Sequence, residues 1–218
     1  ENKIWHELQH GEEVEYEPRD WSVRTSIRTS LQEANHQYLR PLDQEGIFPA
    51  DFIEREEAER AFNQLRDEEG STLITMTGEA GIGKSFVVMQ VARGCEEEGI
   101  PFFAFRADRI SDSVRTARQL GEEFDLPGSP VSVLAGLSSE DERCVLIIDQ
   151  LDAVSLASGR STYLFDCIDQ MIQEATTLPN LRILIGCREF DRQNDPRIRR
   201  LTEGNSLTSG SPASTSSI

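Results

Sequence analysis

The octapeptide Gly78-Glu79-Ala80-Gly81-Ile82-Gly83-Lys84-Ser85 follows a β-like run (Leu73, Ile74, Met76) and opens a helical one. Glycines at this spacing let backbone N–H groups wrap an anion at the positive end of a helix, and the Lys-Ser pair adds a cation and a hydroxyl. The loop therefore predicts phosphate binding, with all eight residues, including Glu79, Ala80 and Ile82, as candidate nucleotide contacts. Lys84 would reach the β and γ phosphates of a triphosphate, and Ser85 would hold Mg²⁺ through its hydroxyl.

A second set is Val145-Leu146-Ile147-Ile148-Asp149-Gln150-Leu151-Asp152, a buried strand ending in acid 65 positions after Lys84. A carboxylate at the carboxyl end of a neighbouring strand is where the metal of a bound triphosphate needs a partner, so Asp149 is the candidate. Gln150 can position water but cannot accept its proton, which predicts slow hydrolysis if it serves; Asp152 is the alternative base. The third set, Leu181 to Asp191, is a strand that runs into Arg188. At that end Arg188 either senses a γ phosphate through charge-assisted bonds or is a solvated loop residue. Arg192, Arg197, Arg199 and Arg200 read as a surface helix paired with acids.

The elements that must position these groups follow from periodicity. Val23, Ile27, Leu31, Ala34 and Tyr38 predict an amphipathic helix over Trp21 to Leu39, stopped by Pro41. Asp51 and Glu54 mark a second helix start, with Ala58, Ala61, Phe62 and Leu65 on one face until Gly70. Beyond it, strands at Thr72–Thr77, Phe102–Arg106, Cys144–Ile148 and Leu181–Cys187 alternate with helices near Ser85–Glu97, Ser113–Phe124 and Tyr163–Ala175. That alternation predicts an α/β domain with a mainly parallel sheet.

The 218 residues suit one domain, and 37% hydrophobic content suffices for its core. With 39 acidic against 22 basic residues the net charge is −17, which disfavours a nucleic-acid partner because phosphate contacts need concentrated Lys and Arg. No uncharged apolar run approaches the roughly 18 residues of a membrane span, and no secretory signal is visible, so a cytoplasmic protein without membrane contact is expected. Cys95, Cys144, Cys167 and Cys187 form no C-x-x-C pair and read as reduced core thiols, and His6, His10 and His36 as surface residues. The first methionine is Met76, so the chain reads as an excerpt.

The stretches GEAGIGKS, FRADRI, LIIDQLDAVSLASGR and LIGCREFDRQNDPRIRRL together resemble the nucleotide-binding core of bacterial STAND-type ATPases, relatives of the NACHT and AAA+ groups, over about residues 52 to 201. The resemblance implies a three-layer αβα P-loop NTPase fold and a regulatory switch. In such a switch ATP exchange and slow hydrolysis alter packing against a helical lid and a winged-helix element, and so control an effector or assembly. It implies Lys84 and Ser85 on phosphate and Mg²⁺, Asp149 on Mg²⁺, and Arg188 as a sensor arginine. Phe52-Ile53-Glu54-Arg55-Glu56 resembles the entry motif near the adenine, and Arg160 is a candidate for a residue approaching nucleotide from a neighbouring subunit. AAA+ relatives place Glu where this chain has Gln150.

The family core continues with a fifth strand, lid and winged helix, none recognisable after Leu201. The expectation is therefore an arm and helical prefix over 1–50, an incomplete and truncated core over 51–201, and a disordered Ser/Thr-rich tail over 202–218, native or the product of a frameshift. Self-association or a protein effector would act through the missing domains. The alternatives are a nucleotide-binding interaction module without turnover, a nonfunctional remnant and a P-loop kinase.

Overall fold

The computed structural model describes residues 21–44, 55–67, 69–138, 142–159, 162–202 and 205–208. In chain order the elements are α1 (Trp21–Gln44), α2 (Glu56–Arg66), β1 (Leu73–Gly78), α3 (Lys84–Glu97), β2 (Phe102–Arg106), α4 (Ala117–Glu122), α5 (Pro130–Leu137), β3 (Cys144–Asp149), α6 (Thr162–Thr176), β4 (Leu181–Arg188), α7 (Glu189–Asn194), α8 (Pro196–Leu201) and β5 (Asn205–Thr208). The strands form one sheet in the order β2-β3-β4-β1-β5, every pairing parallel.

β1 and β3 are buried along their whole length, and so is β4 apart from Arg188. That is why they read as continuous apolar runs rather than as alternation: a parallel sheet is covered on both faces. One face packs Ile74, Met76, Ala104, Val145, Ile147 and Leu184 against α1, α2 and α3. The other packs Phe103, Phe105, Leu146, Ile148, Ile183 and Ile185 against α4, α5, α6 and α8. On α6 the predicted stripe Leu164, Phe165, Ile168, Met171, Ile172 and Ala175 is buried throughout. Of the predicted α2 face, Ala58, Ala61 and Leu65 are buried and Phe62 partly so.

Several boundaries differ from the sequence reading. α1 runs past Pro41 to Gln44, so the proline falls in the last turn of the helix rather than ending it. The second helix begins at Glu56, after Arg55; Asp51 and Glu54 lie outside the described residues. The helix expected over Ser113–Phe124 shrinks to α4, because the Thr116 side chain caps it by accepting from the Gln119 N–H. α5 was not expected at all, although Ser129 as cap and Pro130 in the first turn announce it.

The largest correction concerns the end of the sheet. A fifth strand is present: Asn205–Thr208 pairs in parallel with Ile74–Thr77 of β1, inside the segment expected to be a disordered tail. Thr202, where that tail was expected to start, is buried, and its hydroxyl donates to the Ile198 carbonyl at 2.8 Å. Pairing uses backbone groups that every residue carries, so a Ser/Thr-rich composition does not exclude it. The rest of the tail lies outside the described residues, as do residues 1–20 with His6 and His10, Phe52–Ile53, Arg160 and Ser161; His36 is exposed.

β2, at the opposite edge, is closed by a side chain. Asn35 of α1 is buried; its amide donates to the Phe102 carbonyl at 2.6 Å and accepts from the Ala104 N–H at 3.0 Å, the two bonds a neighbouring strand would make. Asn35→Ala leaves both β2 groups without partners, and a loss of about 2–4 kcal/mol is expected in urea unfolding. An unchanged midpoint would show that α1 does not close this edge.

Candidate nucleotide site

β1 delivers the glycine loop to the carboxyl end of the sheet, and α3 leaves from it. Gly81 and Gly83 take φ of +81° and +89°, where an L side chain is strained, and a Cβ at either would meet no protein atom within 4 Å. The loop's inner surface is therefore open backbone. Gly83 caps α3 with no side-chain bond, so the first N–H groups of a 14-residue helix are left for another acceptor. The Lys84 ammonium donates to the Gly78 carbonyl at 3.0 Å and the Glu79 carbonyl at 2.5 Å. Burial lowers its pKa, partly countered by Asp152.

Four strand ends converge beside this loop. β1 connects through α3 on one face, whereas β3 and β4 connect through α6 and α8 on the other, so a crevice opens between β1 and β4 where open α/β sheets bind ligands. Asp149, ending β3, is buried and accepts from the Ser85 hydroxyl. Burial pushes its carboxyl up to about 6, against the pull of Ser85 and Arg106. Gln150 has the left-handed φ of 60°; its N–H donates to Asp149 Oδ1 and its side-chain amide to Ser85 Oγ, both at 2.9 Å.

Asp152, also buried, accepts from the Arg188 N–H at 3.1 Å and pairs with Arg188 Nε at 3.0 Å. Burial raises the Asp152 pKa and Arg188 opposes the rise. Arg188 is thus held at the site rather than solvated freely, though its side chain is 52% exposed. A cleft of about 350 Å³ lined by Asp108, Gln150, Asp152, Ser155, Arg188 and Phe190 adjoins these groups. A larger cavity, about 640 Å³, lies elsewhere, between α1 and Gly99–Phe102, and holds none of them. The site is therefore defined by convergence of functional groups, not by volume.

Every candidate in the three sequence sets is brought together: Gly78 to Ser85, Asp149, Gln150, Asp152 and Arg188. Two contributors escaped the sequence reading. Arg106, ending β2, lies in register with Asp149 and acts on it electrostatically, its guanidinium held by Asp108 at 2.8 and 3.0 Å; only the strand order places it there. Gly186 has a visible cue, a lone glycine inside a strand. A Cβ there would sit 2.9 Å from Asp149 Oδ1. Three arginines of the basic cluster are ion-paired, Arg192 with Glu189, Arg197 with Asp195 and Arg200 with Asp169. All four cysteines are buried free thiols.

Fold and site together define a P-loop NTPase with a nucleotide-binding core. Residues 72–209 match the family model described as the NACHT domain, and the chain belongs to that family. A comparison with curated protein sequences gives no significant match. Among solved structures, AMPPCP-bound DnaA from Aquifex aeolicus is 14% identical, over 72% of this chain and 48% of that one, with a TM-score of 0.48. Replication initiator DnaA bound to AMPPCP and single-stranded DNA is 16% identical, over 72% of this chain and 45% of that one, also at 0.48. This chain thus spans less than half the length of either. Among the described residues no helix is long and apolar enough to cross a membrane.

The raised Asp149 pKa has a signed consequence. The folded chain keeps a proton on Asp149 between about pH 4 and 6, where the unfolded chain has released it, so this contribution is full below about pH 4 and is lost as pH rises through 6. Without nucleotide, Asp149→Asn is expected to stabilise the protein by about 2–3 kcal/mol near neutral pH. Unfolding midpoints measured against pH should show that advantage shrinking below about pH 6, and a constant difference would mean Asp149 is not desolvated.

Proposed function

We propose that this chain binds ATP with Mg²⁺ and hydrolyses it slowly, as the regulatory core of a STAND-like signalling or defence ATPase working in the cytoplasm. The observation that supports slow turnover is that both groups able to act on an attacking water are engaged: Gln150 with Ser85, and Asp152 with Arg188. The loop N–H groups bind phosphate, and Lys84 exchanges the Gly78 and Glu79 carbonyls for phosphate oxygens. Ser85 and Asp149 would hold Mg²⁺; a hydroxyl and a carboxylate suit a hard cation. Among the described residues no cluster of three or more His, Cys, Asp or Glu could hold a metal alone, so the ion would be shared with the phosphates. Bound there, Mg²⁺ offsets the charge that develops on the transferred phosphoryl group.

Arg188 has a more highly charged partner in a γ phosphate than in the Asp152 carboxylate, and a guanidinium bonds phosphate oxygens through charge-assisted pairs. Its transfer would release the Asp152 carboxylate to take a proton from water. Partners of this core would be a second copy or a protein effector acting through domains beyond it. The second reading, a nucleotide-holding module without turnover, draws on the same engaged Gln150 and Asp152. Phosphate release by wild type against Lys84→Ala separates the two.

Titration calorimetry with Mg²⁺-ATP and Mg²⁺-ADP tests binding directly. Lys84→Ala should lose about 100-fold or more in affinity, and equal binding by the variant would refute the phosphate site. Arg188→Ala should cut the preference for ATP over ADP by about tenfold. Unchanged preference would remove Arg188 from the γ-phosphate site.

A further inference from the structure

Gln150 stands where its amide was expected to face the attacking water, yet its contacts point elsewhere. Its backbone N–H donates to Asp149 Oδ1 and its side-chain N–H to Ser85 Oγ, while Ser85 donates its own proton to Asp149. The three residues close a ring. It is built at a cost: Gln150 adopts φ 60°, ψ 40°, a left-handed conformation disfavoured for a residue with a Cβ. That conformation turns the chain sharply after β3 and lets one residue bond two partners. The Gln150 side chain is part-exposed at the cleft.

A serine hydroxyl has one proton and two lone pairs. In the ring the proton is committed to Asp149 and one lone pair to Gln150, so a single lone pair remains and its direction is set. A free hydroxyl rotor would lose that orientational freedom when it bound a cation; a locked one has lost it already. We propose that Gln150 is a positioning residue that locks the Ser85 hydroxyl for the metal of a bound nucleotide, and is thereby withdrawn from the attacking water. The proposal rests on the nucleotide-binding reading above. It turns an apparent catalytic defect into a device for holding a metal–nucleotide complex. A glutamate at 150 cannot do this, because a carboxylate has no N–H to give.

The test is the ratio of ATP dissociation constants in EDTA and in Mg²⁺, measured by calorimetry on the full chain. Gln150→Ala should lower the ratio about five- to tenfold, the worth of one hydrogen bond to a part-buried hydroxyl. Gln150→Glu should lower it as well, and circular dichroism would establish that both variants fold. In a Ser85→Ala background, removing Gln150 should change the ratio less than twofold, since the lock then has nothing to hold. The proposal is overturned if Gln150→Ala lowers phosphate release while the ratio stays at the wild-type value, which assigns Gln150 to the water. It is equally overturned if the ratio falls as much without Ser85 as with it. Wild-type protein that binds no ATP in either condition would sink the nucleotide reading itself, and this proposal with it.

Discussion

The parallel register across β2, β3, β4 and β1 is the constraint on which the rest depends. Arg106 pairs with Asp149, Ile148 with Ile185, and Met76 with Gly186, so one cross-strand line runs from Arg106 through Asp149 and Gly186 to Met76. Side chains along such a line share a face, here the face that α3 covers as it leaves the loop. A slip of one residue of β3 against β4 would turn the acid to the opposite face, away from Ser85. Gly78 pairs with Arg188 two residues further on, which sets the start of the loop beside the arginine.

That line forces a charge into the core, and the surroundings show how it is tolerated. Asp149 is as buried as the apolar residues before it. An isolated carboxylate there would be neutral or destabilising, so its bonds from Ser85 and Gln150 and the nearby Arg106 are what keep it usable. Gly186 makes the room, because a Cβ at that position would lie 2.9 Å from Asp149 Oδ1, forcing a shift, and 3.2 Å from Val88 of α3, a tight contact. Packing and chemistry are thus decided by the same few atoms.

β1 and β2 are each covered on their outer side, by different means. β5 pairs with β1 through backbone alone, and Asn35 imitates a strand against β2 with one side chain. Unpaired edges invite association with other chains, and covering them is a general requirement of open sheets. α1 lies before the family-matched segment, yet Leu31 and Ala34 enter one core and Tyr38 and Leu39 the other.

Residue order alone determined the loop, its helix, the acid-ended strand, the Arg-ended strand and the α/β class, because each is written in local spacing: glycines before Lys-Ser, or an apolar run that stops at a charge. It also predicted the buried stripe of α6, where helical period and burial are the same information. It failed where local signals mislead or are absent. Asn205–Thr208 has the composition of a solvated tail and forms a strand because β1 offers it partners. Gln150 reads as a weakened catalytic residue, and only folding brings its amide to Ser85, 65 positions away. Arg106 sits in the FRADRI stretch, but nothing local ties it to the acid; its place beside Asp149 comes from β2 lying next to β3. What chemistry is available follows from residue type, which a sequence states. Which groups meet follows from strand order and register, which are set by pairings between distant segments and exist only once the sheet has formed.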